Sequence, residues 1–199
     1  MALVVWDVDE VLADLRTAIC LRTAPLLGAA RADWREWSDY RRLWRHLGAA
    51  DNAAFLAALV ESRAYEECLP EAGAPEALAA SAAAGNDNVL VTARGGHPDG
   101  FAATWDWLDR HGMAAHVAAV EVVPPFGAKT EVIAALGGAA LIVEDSPWHV
   151  DAALAAGVAD AALLVSRPWN VGWRPGGRPA ERIAATAAAA AVFSRRPAP

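Results

Sequence analysis

The chain has 199 residues, a formal net charge of −7 and two cysteines, Cys20 and Cys68, in no metal-binding spacing. That length builds one substantial core with a small insertion rather than two full domains. The acidic balance argues against a general binder of polymeric nucleic acid, which carries a basic face, and two distant thiols offer no disulfide framework, so a reduced, cytoplasmic protein is expected. Residues 1–6 lack the basic start and apolar length of a signal peptide, and no segment is long and uncharged enough to cross a bilayer, so no membrane partner is expected.

In chain order, residues 3–8 predict a first central strand and 9–12 the turn that leaves it. Residues 15–68 then read as helical, with helices over 15–27, 32–47 and 52–65; Gly28 and the stretch 48–51 separate them, and Asp51 is an N-cap candidate. After Leu69-Pro70 the pattern becomes alternating: helix 75–84, strand 88–91, helix 99–111, strand 117–122, helix 129–136, strand 140–143, helix 149–156 and strand 161–165. Residues 174–178, rich in Gly, Pro and Arg, read as a loop, and 181–193 as a final helix. Strands alternating with helices of this length imply a doubly wound parallel α/β sheet. The helical block is then an insertion after strand 1, which divides the chain into a core of residues 1–14 and 70–199 and a helical insertion of 15–69.

The acidic residues stand out against this pattern. Asp7 and Asp9 follow the apolar run Val4-Val5-Trp6, and Glu144 and Asp145 follow Leu141-Ile142-Val143. Both pairs therefore emerge at the carboxyl ends of buried strands, where open α/β sheets place their sites. Carboxylates gathered there repel one another and call for a hard cation with oxygen ligands, of which Mg²⁺ is the expected one.

Phosphoryl transfer through a covalent intermediate needs a nucleophile, a proton donor, a metal and positive charge around the phosphate. The chain offers a candidate for each. Asp7 is placed to attack phosphorus, and Asp9, two residues on along an extended backbone, to protonate the leaving alcohol and then deprotonate water. Thr92-Ala93-Arg94 ends a strand with a hydroxyl, backbone N–H groups and a guanidinium that suit phosphate oxygens. Lys129 opens a helix where an ammonium neutralises both phosphate and Asp7. Asp145 and Glu144 supply further metal carboxylates.

In this order the motifs resemble those of the haloacid dehalogenase superfamily. The resemblance implies a Rossmannoid core with a type I helical cap, nucleophile Asp7, acid/base Asp9, phosphate ligands Thr92 and Lys129, and Mg²⁺ held by Asp7, Asp145 and the backbone carbonyl of Asp9, with Glu144 a secondary acidic contributor. The stretches 7–14, 69–74, 144–147 and 167–170 are similar to those of the 5′(3′)-deoxyribonucleotidase branch. Glu10 stands where that family has Gly, and Val11 where Ser or Thr is common.

The expected activity is Mg²⁺-dependent hydrolysis of a small phosphomonoester, with a nucleoside monophosphate as first substrate, by a monomer or homodimer. Two alternatives compete with it: a metal-independent haloacid dehalogenase, and a non-catalytic protein of the same fold that binds a phosphate ligand or a partner. Trp34, Trp37, Tyr40 and Trp44 form a helical stripe that either packs the cap or stacks on a nucleobase, with Arg31, Arg35, Arg41, Arg42 and Arg45 interleaved. Trp169 and Asn170 read as loop-shaping residues, and the five histidines have no metal-binding arrangement.

Overall fold

The computed structural model describes residues 1–29, 43–125, 127–174 and 179–195. Chain order begins with Leu3–Trp6 (β1), then Ala13–Asp14 (β2) and a helical run made of Leu15–Ala18 (α1), a π-helical segment Ile19–Thr23 and Ala24–Leu26 (α2). Leu43–His46 (α3), Asn52–Glu61 (α4) and Ala64–Glu67 (α5) follow, and Leu69–Pro70 (β3) pairs antiparallel with β2. Helices α1 to α5 thus leave and rejoin the rest of the chain through one short two-stranded ribbon. The remainder alternates: Ala74–Ala83 (α6), Asp87–Thr92 (β4), Gly100–Arg110 (α7), Ala119–Val122 (β5), Lys129–Ala135 (α8), Leu141–Glu144 (β6), Pro147–Ala155 (α9), Ala162–Val165 (β7), Ala180–Ile183 (β8) and Ala187–Arg195 (α10).

Six strands form one parallel sheet in the order β5-β4-β1-β6-β7-β8. The alternation of side chains along β1 explains its two packed faces. Val4 and Trp6 join a core with Leu78 of α6, Trp107 of α7 and Phe193 of α10, whereas Val5 joins Ile133 of α8 and Val150 of α9 on the other side. Burial on both faces is why these strands are continuous apolar runs. The chain winds outward from β1 through β4 to β5 in one direction and through β6 to β8 in the other. The carboxyl ends of β1 and β6 therefore lie side by side at the point where the winding reverses, which is where open sheets of this kind leave a crevice.

Several local expectations are corrected. Residues 180–183 form an edge strand paired with β7 from Ala162↔Ala180 to Val165↔Ile183, so the final helix starts at Ala187, not at Glu181. Ala, Glu and Arg are good helix formers, but propensity is a weak constraint, and four residue pairs in register with β7 override it. The predicted helix 52–65 breaks at Arg63, whose φ is 55°. Most of the predicted helix 32–47, with Trp34, Trp37, Tyr40 and Arg31, Arg35, Arg41 and Arg42, lies outside the described residues.

Gly73, which caps α6, joins α6 to α10. Its φ is +79°, and an added Cβ would meet Ala187 Cβ at 2.5 Å and Ala187 Cα at 2.7 Å. Left-handed backbone and a steric clash act together here, so Gly73→Ala is expected to lower stability by about 2 kcal/mol. Urea unfolding followed by circular dichroism measures this; an unchanged midpoint would show that α6 and α10 separate without cost.

Candidate active site

The carboxyl ends of β1 and β6 bring Asp7, Glu144 and Asp145 together with oxygen atoms that all lie within 4.8 Å of one another, and all three residues are buried. Lys129, the first residue of α8, reaches between them with Nζ 2.8 Å from Asp7 Oδ1 and 2.5 Å from Glu144 Oε1. The Val8 backbone N–H also donates to Asp7 Oδ1, at 2.7 Å. Asp7 lines an open cleft of about 840 Å³ between the strand ends and the helical insertion. Asp7 is thus held through Oδ1 at the wall of the cleft.

Glu144 is differently occupied. Its Oε1 also lies 2.8 Å from His149 Nδ1, and its Oε2 accepts the backbone N–H groups of Asp145 and Ser146 at 2.9 and 3.0 Å. Both oxygens thus already serve to hold Lys129 and the loop that carries Asp145. His149, one of the histidines with no metal-binding arrangement in the sequence, is part of this arrangement, five residues after Glu144.

Burial works against three buried carboxylates beside one ammonium. Burial and then the charge of Glu144 raise the pKa of Asp7 to about 7, although Lys129 opposes this. Burial, Glu144 and Asp7 likewise hold Asp145 well above the ordinary carboxylate value. Burial acts in the same sense on Glu144, but Lys129 and His149 outweigh it and keep its pKa below the usual range. Asp7 and Asp145 are the two groups for which positive charge is in short supply. The all-oxygen, anionic donor set therefore fits a hard divalent cation.

Asp9 lies on the same cleft. Its carboxylate takes a forked contact from Arg94, with Nη2 2.6 Å and Nε 3.0 Å from Oδ1 and Nε 3.3 Å from Oδ2. Arg94 is fully buried, with Cζ 5.2 Å from the centre of the Tyr65 ring and 5.8 Å from that of Trp107. The sequence pointed to Arg94 as a phosphate contact. The structure turns its buried guanidinium inward onto the Asp9 carboxylate. The preceding Ala93 lines the cleft, while the Thr92 hydroxyl is buried with no hydrogen-bond partner among the described residues. An unpaired buried hydroxyl at a strand end is unusual and suits an acceptor that arrives with the substrate.

The loop after β7 closes the site from the far side. Trp169 Nε1–H donates to Asp145 Oδ2 at 2.7 Å, and Asn170 Nδ2 donates to the backbone carbonyls of Asp145 and Val165 at 2.8 and 2.7 Å. These two residues do shape a loop, as the sequence suggests, but the loop they shape holds a site carboxylate. Cleft residues from the insertion are Leu15, Trp44, Asn52, Phe55, Leu56, Leu59 and Tyr65.

No family model and no curated protein matches this sequence. Solved structures do match over almost the whole chain. A predicted phosphoglycolate phosphatase from Haemophilus somnus is 16% identical, with a TM-score of 0.65 over 96% of this chain and 97% of its own. A HAD-superfamily hydrolase of subfamily IA from Geobacter sulfurreducens is 18% identical, with a TM-score of 0.61 over 97% and 96%. L-2-haloacid dehalogenase from Xanthobacter autotrophicus is 17% identical, with a TM-score of 0.61 over 98% and 99%. The chain thus has the haloacid dehalogenase-like Rossmannoid α/β fold, a fold these structures share across different chemistries.

Proposed function

We propose that this protein is a Mg²⁺-dependent phosphomonoesterase working through an aspartyl phosphate at Asp7, with the helical insertion as its cap. The observation that carries the reading is the Asp7 carboxylate on the cleft, held by Lys129 beside Asp145, with Asp9 two residues away on the same opening. Asp7 Oδ2 attacks phosphorus, the bond to the leaving oxygen breaks, and Asp9 gives that oxygen its proton. Asp9 then takes a proton from water, which attacks the same phosphorus and returns the Asp7 carboxylate with release of inorganic phosphate. Thr92 and the N–H groups that follow it receive phosphate oxygens, and Lys129 offsets their charge. Asp7, Asp145 and the backbone carbonyl of Asp9 are the residues that would hold Mg²⁺, which when bound supplies charge neutralisation at the phosphate.

A dehalogenase of this fold would share the nucleophilic Asp7 but needs neither a metal nor a proton for its halide leaving group, the roles assigned here to Asp145 and Asp9. The cleft volume, about 840 Å³, also suits a substrate of nucleotide size better than a short haloacid. A nucleoside monophosphate is the first substrate class we assign.

Phosphate release from 5′ and 3′ ribo- and deoxyribonucleotides and from sugar phosphates, with Mg²⁺ or with EDTA, tests this. Turnover that requires Mg²⁺ is expected. Chloride release from 2-chloropropionate in EDTA would favour the dehalogenase, and tight ligand binding without turnover at saturating Mg²⁺ would favour the binding protein. Metal alone has a measurable effect: Mg²⁺ at 100 times its Kd is expected to stabilise the fold by about 2.7 kcal/mol, a rise of several degrees in Tm. A Tm indifferent to Mg²⁺ would remove the metal from the proposal.

A further inference from the structure

Glu10 is the departure from family pattern that the mechanism above leaves without a role. It sits in the turn after β1 with φ at 66°, one of two non-glycine residues with positive φ among the described residues. For a residue with a side chain this conformation is strained, and it persists where surrounding contacts over-determine it. Those contacts are present. Glu10 is buried, its Oε1 accepts the Arg16 backbone N–H at 2.7 Å, and its carbonyl accepts Arg167 Nε and Nη2 at 2.9 and 2.6 Å.

The Glu10 side chain also faces a second buried charge. Its Oε2 lies 4.0 Å from Arg16 Nε, and the Arg16 side chain has no solvent exposure. Arg16 Cζ lies 3.4 Å from the centre of the Trp169 ring, stacking distance for a guanidinium on an indole. The edge of that same indole donates to Asp145 Oδ2 at 2.7 Å. A rigid planar cation against the ring face fixes the ring plane, and the ring plane fixes the direction of the N–H. The chain of contacts therefore runs from the turn after β1 to one oxygen of a carboxylate assigned to the metal.

We propose that Glu10, Arg16 and Trp169 are positioning residues that set the orientation of the Asp145 carboxylate toward the divalent cation. Glu10 stands in place of a glycine because its carboxylate accepts the Arg16 backbone N–H and lies beside the Arg16 guanidinium, and Arg16 in turn braces Trp169. The inference rests on the reading of Asp145 as a metal ligand. Partners that orient a metal-binding carboxylate typically matter by about 10–100-fold in metal affinity.

Isothermal titration of metal-free protein with Mg²⁺ reads this directly, without substrate. Trp169→Phe keeps an aromatic ring beside Arg16 and removes the N–H together with part of the indole. The double variant Glu10→Gln with Arg16→Met removes the contact between the two side chains and the cation that braces the indole. Both are expected to raise the Mg²⁺ Kd about tenfold or more, with wild-type circular dichroism in EDTA. Trp173→Phe, which loses an indole bond to Asp151, is expected to keep the wild-type Kd. A wild-type Kd in Trp169→Phe overturns the proposal, and does so even if the double variant fails to fold. Wild-type protein that binds no Mg²⁺ would sink the underlying metal reading along with it, whereas wild-type binding matched by Trp169→Phe sinks the positioning role alone.

Discussion

Asp7→Asn is expected to reduce phosphate release by about four orders of magnitude or more, the scale of losing a nucleophile, and at the same time to leave the metal-free protein at least as stable as wild type. The two outcomes share one cause. Asp7 is buried beside Glu144 and Asp9, and burial with the charge of Glu144 lifts its pKa to about 7 despite Lys129. The ionised form that attacks phosphorus is thus a form the metal-free fold disfavours. An amide of the same shape removes that conflict and leaves Lys129 paired with Glu144 at 2.5 Å. A site that holds its nucleophile ready at a cost in stability becomes more stable when disarmed. Rate measurements with Mg²⁺ and thermal melts in EDTA check the two halves separately. Substantial activity in the variant would sink the aspartyl-phosphate route. A much lower Tm would instead show that Asp7 is chiefly a structural partner of Lys129.

The contrast between Asp7 and Arg94 also shows which parts of this molecule are legible in its sequence. A parallel central strand is buried on both faces, so Val4-Val5-Trp6 and Leu141-Ile142-Val143 announce themselves as apolar runs, and the carboxylates just beyond them mark the end of the sheet. Thr92 and Lys129 are legible for the same reason, each being tied to the end of a regular element. The partners of those residues are a different matter. Arg94 and Asp9 are 85 residues apart, and Trp169 and Asp145 are 24 apart; side-chain direction in a loop has no period to read. Strand β8 was missed because its residues favour helix, while its pairing with β7 is a long-range contact. Glu10 could be seen as an oddity, but its explanation lies in Arg16, which a helical pattern presents as one more charged residue in an insertion.

Arg94→Met is the second large effect we expect, and it separates support of Asp9 from direct contact with substrate. Arg94 is fully enclosed and grips Asp9 through Nη2 at 2.6 Å and Nε at 3.0 Å. Removing one member of a buried pair strands the other charge, at a cost of about 3–5 kcal/mol where no water can reach it. Asp9 retains 16% exposure of its side chain at the cleft, so water recovers part of that loss and about 3 kcal/mol is the expected destabilisation. With the fork gone the Asp9 carboxylate is free to turn, and misplacement of a catalytic group by about 1 Å lowers the rate by about 100-fold. If Arg94 acts through Asp9, the loss falls on kcat and KM stays near its wild-type value. If Arg94 binds phosphate, as its place beside Thr92 suggests from sequence alone, KM rises instead. Arg94→Lys refines the comparison, because a lysine keeps the charge and lacks the planar fork: it should restore much of the stability and little of kcat. Full recovery of kcat by lysine would mean that charge near Asp9, rather than the direction of its carboxylate, is what the site requires.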